Sequence, residues 1–162
     1  MFQLPFYFMR CLLASVLCAV AACVAVSCGG QSNSVDDFNS RPITLPNGQV
    51  IHAEVMVQKQ DMYRGMMFRD SLAPGQGMLF VHAQPSKVPY WMYQVRIPLD
   101  IIWMDANRRV VEISANTPPC PSKSAKECPT FGGHYPAQWV LELGGGMAAK
   151  YGLAVGDVLS FY

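Results

Sequence analysis

From Arg41 to the end of the chain, apolar residues come in short runs broken by Gly, Pro, Asn and Asp. Ile43-Thr44-Leu45, the turn Pro46-Asn47-Gly48, and Gln49 to Val57 predict a hairpin around an Asn-Gly turn. The second arm alternates, with Val50, His52, Glu54 and Met56 against Ile51, Ala53, Val55 and Val57. Lys59 to Phe68 predicts a short helix with Met62 and Met66, four apart, on one face. Strands are predicted at Met78 to His82, Tyr90 to Val95, Ile97 to Met104, Arg109 to Ser114, Gln138 to Leu143 and Val155 to Phe161. A helix over Met147 to Tyr151 should be closed by Gly152. These elements describe a mainly β (α+β) fold: a compact, barrel-like mixed sheet of about seven short strands with two short helices.

The N-terminal pattern differs. Residues 12–27 read LLASVLCAVAACVAVS, preceded by Arg10, which is the pattern of an export signal. The run ends in Ala25-Val26-Ser27-Cys28, followed by Gly-Gly-Gln-Ser. Small residues before a Cys and a polar stretch after it resemble a bacterial lipoprotein signal, with Cys28 as the lipidated residue. Cys23 is the alternative lipidation site, a simply cleaved signal is another reading, and Met9 is an alternative start. Three segments are expected: a lipoprotein-type signal over 1–27, a Ser/Asn/Asp-rich flexible tether over 28–41, and one β-rich domain over 42–162. The chain is then exported, held in the periplasm or cell envelope, with the membrane as partner through its lipid anchor.

Charge adds an exclusion. The whole chain carries 12 Lys+Arg and 11 Asp+Glu. Arg10 is the one charge in residues 1–27, so the remainder balances. No basic patch or charge run appears, which argues against nucleic acid. Four of the six cysteines lie at or before Cys28, leaving Cys120 and Cys128 in the domain. An even pair in an oxidising compartment predicts a disulfide across the Pro-rich stretch 115–137. Two Cys without a C-x-x-C partner or a His pair do not complete a zinc site.

The blocks RGMMFRDSL (64–72), GMLFVH (77–82), YWM (90–92), IPLDIIWMD (97–105), Pro118-Pro119-Cys120, WVLEL with Gly146, and GLAVGD (152–157) resemble the domain of unknown function 192 family, over about residues 43–162. The resemblance implies a compact, mostly β domain and no particular activity. After Trp91-Met92 the family usually has Asn-Thr where this chain has Gln94-Val95; if that Asn served a polar site, the site is altered here.

Asp100 sits between Leu99 and Ile101, and a carboxylate in an apolar strand needs a partner. Arg64 and Arg69 are candidate ion-pair partners; backbone N–H groups are the alternative. Glu142 and Glu112 alternate with apolar neighbours and are expected on solvated faces. No Ser lies in a G-x-S-x-G elbow. Gly144-Gly145-Gly146 is expected as a tight turn needing positive φ. Eight methionines from Met56 onward suit an irregular core, with Cu(I) binding in an exported protein as the competing use.

The expected function is a small binding or accessory module with an apolar groove. Arg64, Met66, Arg69, Trp91 and Asp100 are its candidate ligand-binding residues, for a peptide, lipid or glycan. A hydrolase using Asp100 or Glu142, or a Met-rich Cu(I) protein, are the alternatives. No cofactor and no resident metal are expected.

Overall fold

The computed structural model describes residues 39–162. The expected signal, the lipidation site Cys28 and most of the tether lie outside the described residues. Tether residues 40 and 41 already belong to the first strand, β1 (Ser40–Thr44).

The remaining elements follow as β2 (Val50–Met56), α1 (Lys59–Arg64), β3 (Gln76–Ser86), β4 (Tyr90–Trp91), β5 (Leu99–Met104), β6 (Val110–Thr117), β7 (Thr130–Phe131), β8 (Ala137–Gly144) and α2 (Met147–Tyr151). Six strands form one mixed sheet in the order β1-β2-β3-β8-β5-β6, and β4 with β7 forms a two-stranded ribbon. β2 and β3 are parallel, joined through α1, and the other pairs are antiparallel. The sheet is open and does not close into a barrel.

Alternation along the strands fills both faces of this sheet. One face carries Ile51, Leu79, Ile102, Leu141 and Leu143, covered by Tyr151 of α2 and by Leu159 and Phe161. The other carries Met78, Phe80, Leu99, Ile101, Trp103 and Val140, covered by Met66, Met92 and Val95 with Met62, Tyr90 and Phe131 alongside. The inner strand β5 is buried at all six residues, which is why LDIIWM reads as a nearly unbroken apolar run. Met66, Met78 and Met92 are each no more than 1% exposed, so these thioethers fill core.

Four expected elements differ. α1 ends at Arg64, where Gly65 at φ 41 turns the chain; a Cβ there would stand 3.1 Å from the Phe80 ring. The strand expected at 90–95 stops after Trp91, because Gln94 takes positive φ and leaves the extended region. The closing strand expected at 155–161 is reduced to single bridges, Thr44 with Ser160 and Arg109 with Val158. The loop 115–137 contains a 3-10 turn at Ala125–Glu127 and β7. Cys120 and Cys128 are joined, with Cα atoms 5.6 Å apart, within the ordinary span of a disulfide.

Candidate functional site

Asp100 shows what the sheet does with a carboxylate on its α2 face. Asp100, Ile102 and Met104 share that face of β5, and Asp100 is fully buried. Its Oδ1 accepts from the backbone N–H of Asn116 at 2.6 Å and of Gly146 at 3.0 Å, and its Oδ2 accepts from Ala148 N–H at 2.6 Å. The carboxylate thus caps a helix that has no side-chain cap of its own. It also ties the turn after β8 to the end of β6. Gly146 in this turn has φ 82, as the glycine run suggests. Arg64 and Arg69 are not its partners: Arg69 holds Glu54 in a two-pronged pair at 2.5 and 2.6 Å. Both carboxylate oxygens of Asp100 are held by backbone N–H groups, which is a structural role.

Glu142 has the opposite character. It lies on β8 directly opposite Ile101 of β5 and Met78 of β3. Alternation does put it on the face away from Leu141 and Leu143, but that face is the second core and not solvent. Glu142 is 4% exposed. Among the described residues, the buried side-chain polar atoms without a hydrogen-bond partner are Trp139 Nε1 and Glu142 Oε2. Burial pushes the Glu142 carboxyl up to about 8, and the Arg69 guanidinium draws it partly back.

Glu142 opens into a cleft of about 310 Å³. Met66 and Phe80 are buried against it, Tyr90 and Trp91 line it, and Tyr63 and Arg64 of α1 stand exposed beside it. The elements place these groups for local reasons. α1 packs Met62 inward and leaves Tyr63 to meet Trp91 edge-on at 5.8 Å between ring centres. Trp91 in turn lies 5.6 Å from Tyr93. β4 holds Tyr90 edge-on to Phe80 at 5.2 Å and to Trp103 at 5.8 Å. The Tyr90 hydroxyl meets His82 Nε2 at 3.1 Å. Burial, and secondly the nearby Glu142, raise the Tyr90 hydroxyl above its ordinary value; burial lowers the His82 imidazole. At neutral pH both stay uncharged.

Of the expected ligand-binding residues, Arg64, Met66 and Trp91 line this cleft. Arg69 and Arg64 line a second, more polar hollow with Glu54 and Asp61. Asp100 belongs to neither. Sequence reasoning named Glu142 as a hydrolase candidate on a solvated face and not as a buried group of this cleft, and it gave His82 no place in the site. The readable signal for Glu142 was a single acid in the run Trp139-Val140-Leu141-Glu142-Leu143.

A pair of acids for hydrolysis does not assemble from the expected candidates. Asp100 and Glu142 lie on opposite faces of the sheet. Glu112 is occupied by His134, whose Nδ1 stands 2.5 Å from it and whose backbone N–H donates to it at 3.0 Å. Among the described residues lining the cleft, Glu142 is the one acid.

An open mixed sheet with an aromatic cleft and a buried carboxyl defines a small β-rich domain with a pocket. The chain belongs to the domain of unknown function 192 family, described as "Uncharacterized ACR", whose model matches residues 43–161. Two crystal structures are similar. One is a protein of unknown function from Novosphingobium aromaticivorans, 32% identical over 75% of this chain and 83% of that one, with a TM-score of 0.63. The other, from Sinorhizobium meliloti, is described as a "putative transcription regulator"; it is 26% identical over 79% of this chain and 97% of that one, with a TM-score of 0.67. No curated protein matches.

Proposed function

We propose that this chain is an exported, lipid-anchored envelope protein whose domain is a binding module, taking a largely apolar ligand into the cleft between α1, β3, β4 and β8. One observation carries the reading: a roughly 310 Å³ cleft with aromatic walls has at its base a buried carboxyl oxygen without a partner. Apolar walls with few polar groups are the ordinary composition of a ligand pocket, and an unpaired buried oxygen has a cost that a ligand group would remove. The near balance of charge beyond residue 27 supports a small-molecule, peptide, lipid or glycan ligand over nucleic acid.

Ligand-observed NMR with an apolar fragment set on the full chain tests the module. Binding should be weakened about tenfold or more by the double variant Tyr63→Ala/Trp91→Ala, at one exposed and one half-buried position, with a cooperative melt retained. Fragments that bind equally well to that variant would sink the cleft as the site. The anchor is tested by gel mobility in cells treated with an inhibitor of lipoprotein signal processing. A Cys28→Ser variant insensitive to the drug, beside a drug-sensitive wild type, is the expected result; an unshifted wild type would end the lipid-anchor reading.

A further inference from the structure

Resting on the binding-module reading, we propose that the Glu142 carboxyl is the cleft's recognition element, donating a hydrogen bond from Oε2 to an uncharged oxygen acceptor, such as a ketone, ester or amide carbonyl, on an apolar or aromatic ligand.

Geometry supports this in three ways. First, Oε2 is buried, without a partner, in a side chain that lines the cleft. The flanking residues in register, Met78 and Ile101, are fully buried and apolar, so they offer it no hydrogen bond. Second, the charged groups around the cleft are cationic. Lys59 and Arg64 of α1 line it, and Arg69 acts electrostatically on Glu142 while holding Glu54. A cationic ligand would have to pass these charges. Third, His82 Nε2 and the Tyr90 hydroxyl are partners of each other at 3.1 Å, and the other titratable lining residues are Tyr63 and Tyr93. A carboxyl so enclosed holds its proton at neutral pH, which makes Oε2 a donor in place of a second acceptor. The aromatic rings of Tyr63, Tyr90 and Trp91 then supply an apolar surface for a flat ligand.

The test uses three probes with one ring system: 2-acetylnaphthalene, 2-ethylnaphthalene and 2-naphthylmethylamine. Each is titrated into the full chain by NMR or calorimetry at pH 7. The ketone should bind about five- to tenfold more tightly than the hydrocarbon, as one hydrogen bond to a buried group would give. The amine should bind most weakly. Between pH 7 and 9 the ketone's advantage should fade as Glu142 ionises, a window above the lowered range of the His82 imidazole. Glu142→Leu should erase the ketone's preference. Glu142→Gln, which keeps an N–H donor, should retain the preference and lose its pH dependence. If the Leu variant does not fold, the Gln variant and the wild-type pH titration decide. Equal binding of ketone and hydrocarbon, or a ketone preference that survives unchanged in Glu142→Leu, would overturn the Glu142 role and leave the cleft intact. Absence of binding by all three probes would overturn the cleft reading with it.

Discussion

The backbone N–H of Phe68 donates to the carbonyl of Gln94 at 2.9 Å, and both residues sit in the left-handed region, at φ 65 and φ 56. This bond fastens the turn after α1 to the turn after β4, the two segments that carry opposite sides of the cleft. It also gives a conformational use for the Asn that the family resemblance leads one to expect at position 94. Asn tolerates positive φ better than Gln, and the bonding group here is the backbone carbonyl that any residue has.

Gln94→Asn should therefore stabilise the domain by about 0.5–1 kcal/mol, and Gln94→Val should destabilise it by more. Gln94 is exposed, so its side chain contributes little packing. Urea or thermal melts of the two variants check the order, and a Val variant as stable as wild type would contradict it.

Asp100→Asn leaves a side-chain oxygen but turns an NH2 toward a backbone donor. At least one of the three N–H groups now bonded to Asp100 loses its acceptor. The expected loss is about 1–3 kcal/mol, with ligand binding in the cleft unchanged. A full-strength melt together with lost binding would mean that Asp100 touches ligand.

Glu142 makes stability depend on pH in an unusual direction for an acid. Its carboxyl titrates near 4.5 when unfolded and is raised to about 8 when folded. Between these values the folded state holds the extra proton, so stability falls as pH rises from about 4.5 to 8 and is level above that. The ceiling on this loss is roughly 4–5 kcal/mol. Glu142→Gln should remove the slope, so the variant gains most on wild type near pH 8 and least near pH 4. His82, whose imidazole is lowered by burial, acts oppositely just below pH 6.5. The measurement is therefore the difference between variant and wild type in urea melts across pH; a difference that does not grow with pH rejects the assignment.

Gly133 has φ 76, and a Cβ there would stand 2.5 Å from the backbone nitrogen of Pro89. Val88 and Pro89 line the cleft, and the Val88 carbonyl accepts the Trp103 indole N–H at 2.9 Å. Gly133→Ala should cost more than about 1 kcal/mol and weaken apolar probes as the 88–89 segment shifts. Gly48→Ala, with the same φ sign and open space around it, is the matched control that should change stability without changing binding.

Removing the Cys120–Cys128 bond by a double Ser substitution should cost about 2.5 kcal/mol for so short a loop. Circular dichroism melts with and without reductant should reproduce the shift in wild type. A reductant-insensitive melt would show the thiols free.

The strands were legible where alternation or an unbroken apolar run is long, as at β2, β5 and β8, and α2 was legible from its glycines. What the pattern could not show is that both sheet faces are covered. Period-two alternation separates Glu142 from Leu141 and Leu143 without saying whether the other side meets water or a second core. Positive φ at Gln94 and Phe68 was likewise hidden, because neither residue type announces a turn. The Gln94 turn cuts short the predicted strand, and both turns shape the cleft. Asp100 was recognised as anomalous, but its partners are backbone groups 16 to 48 residues away, which carry no residue-type signature.

The bridges that join Thr44 to Ser160 and Arg109 to Val158 have a consequence for when the domain can form. Thr44 is the last residue of the first strand, and its partner is made some 116 residues later. A nascent chain lacking residues 158–161 also lacks Leu159 and Phe161, both part of the core beneath α2. Non-local closure of this kind slows folding. The domain should therefore complete its core only after residues 158–161 have been made, so its first strand waits for its last partner.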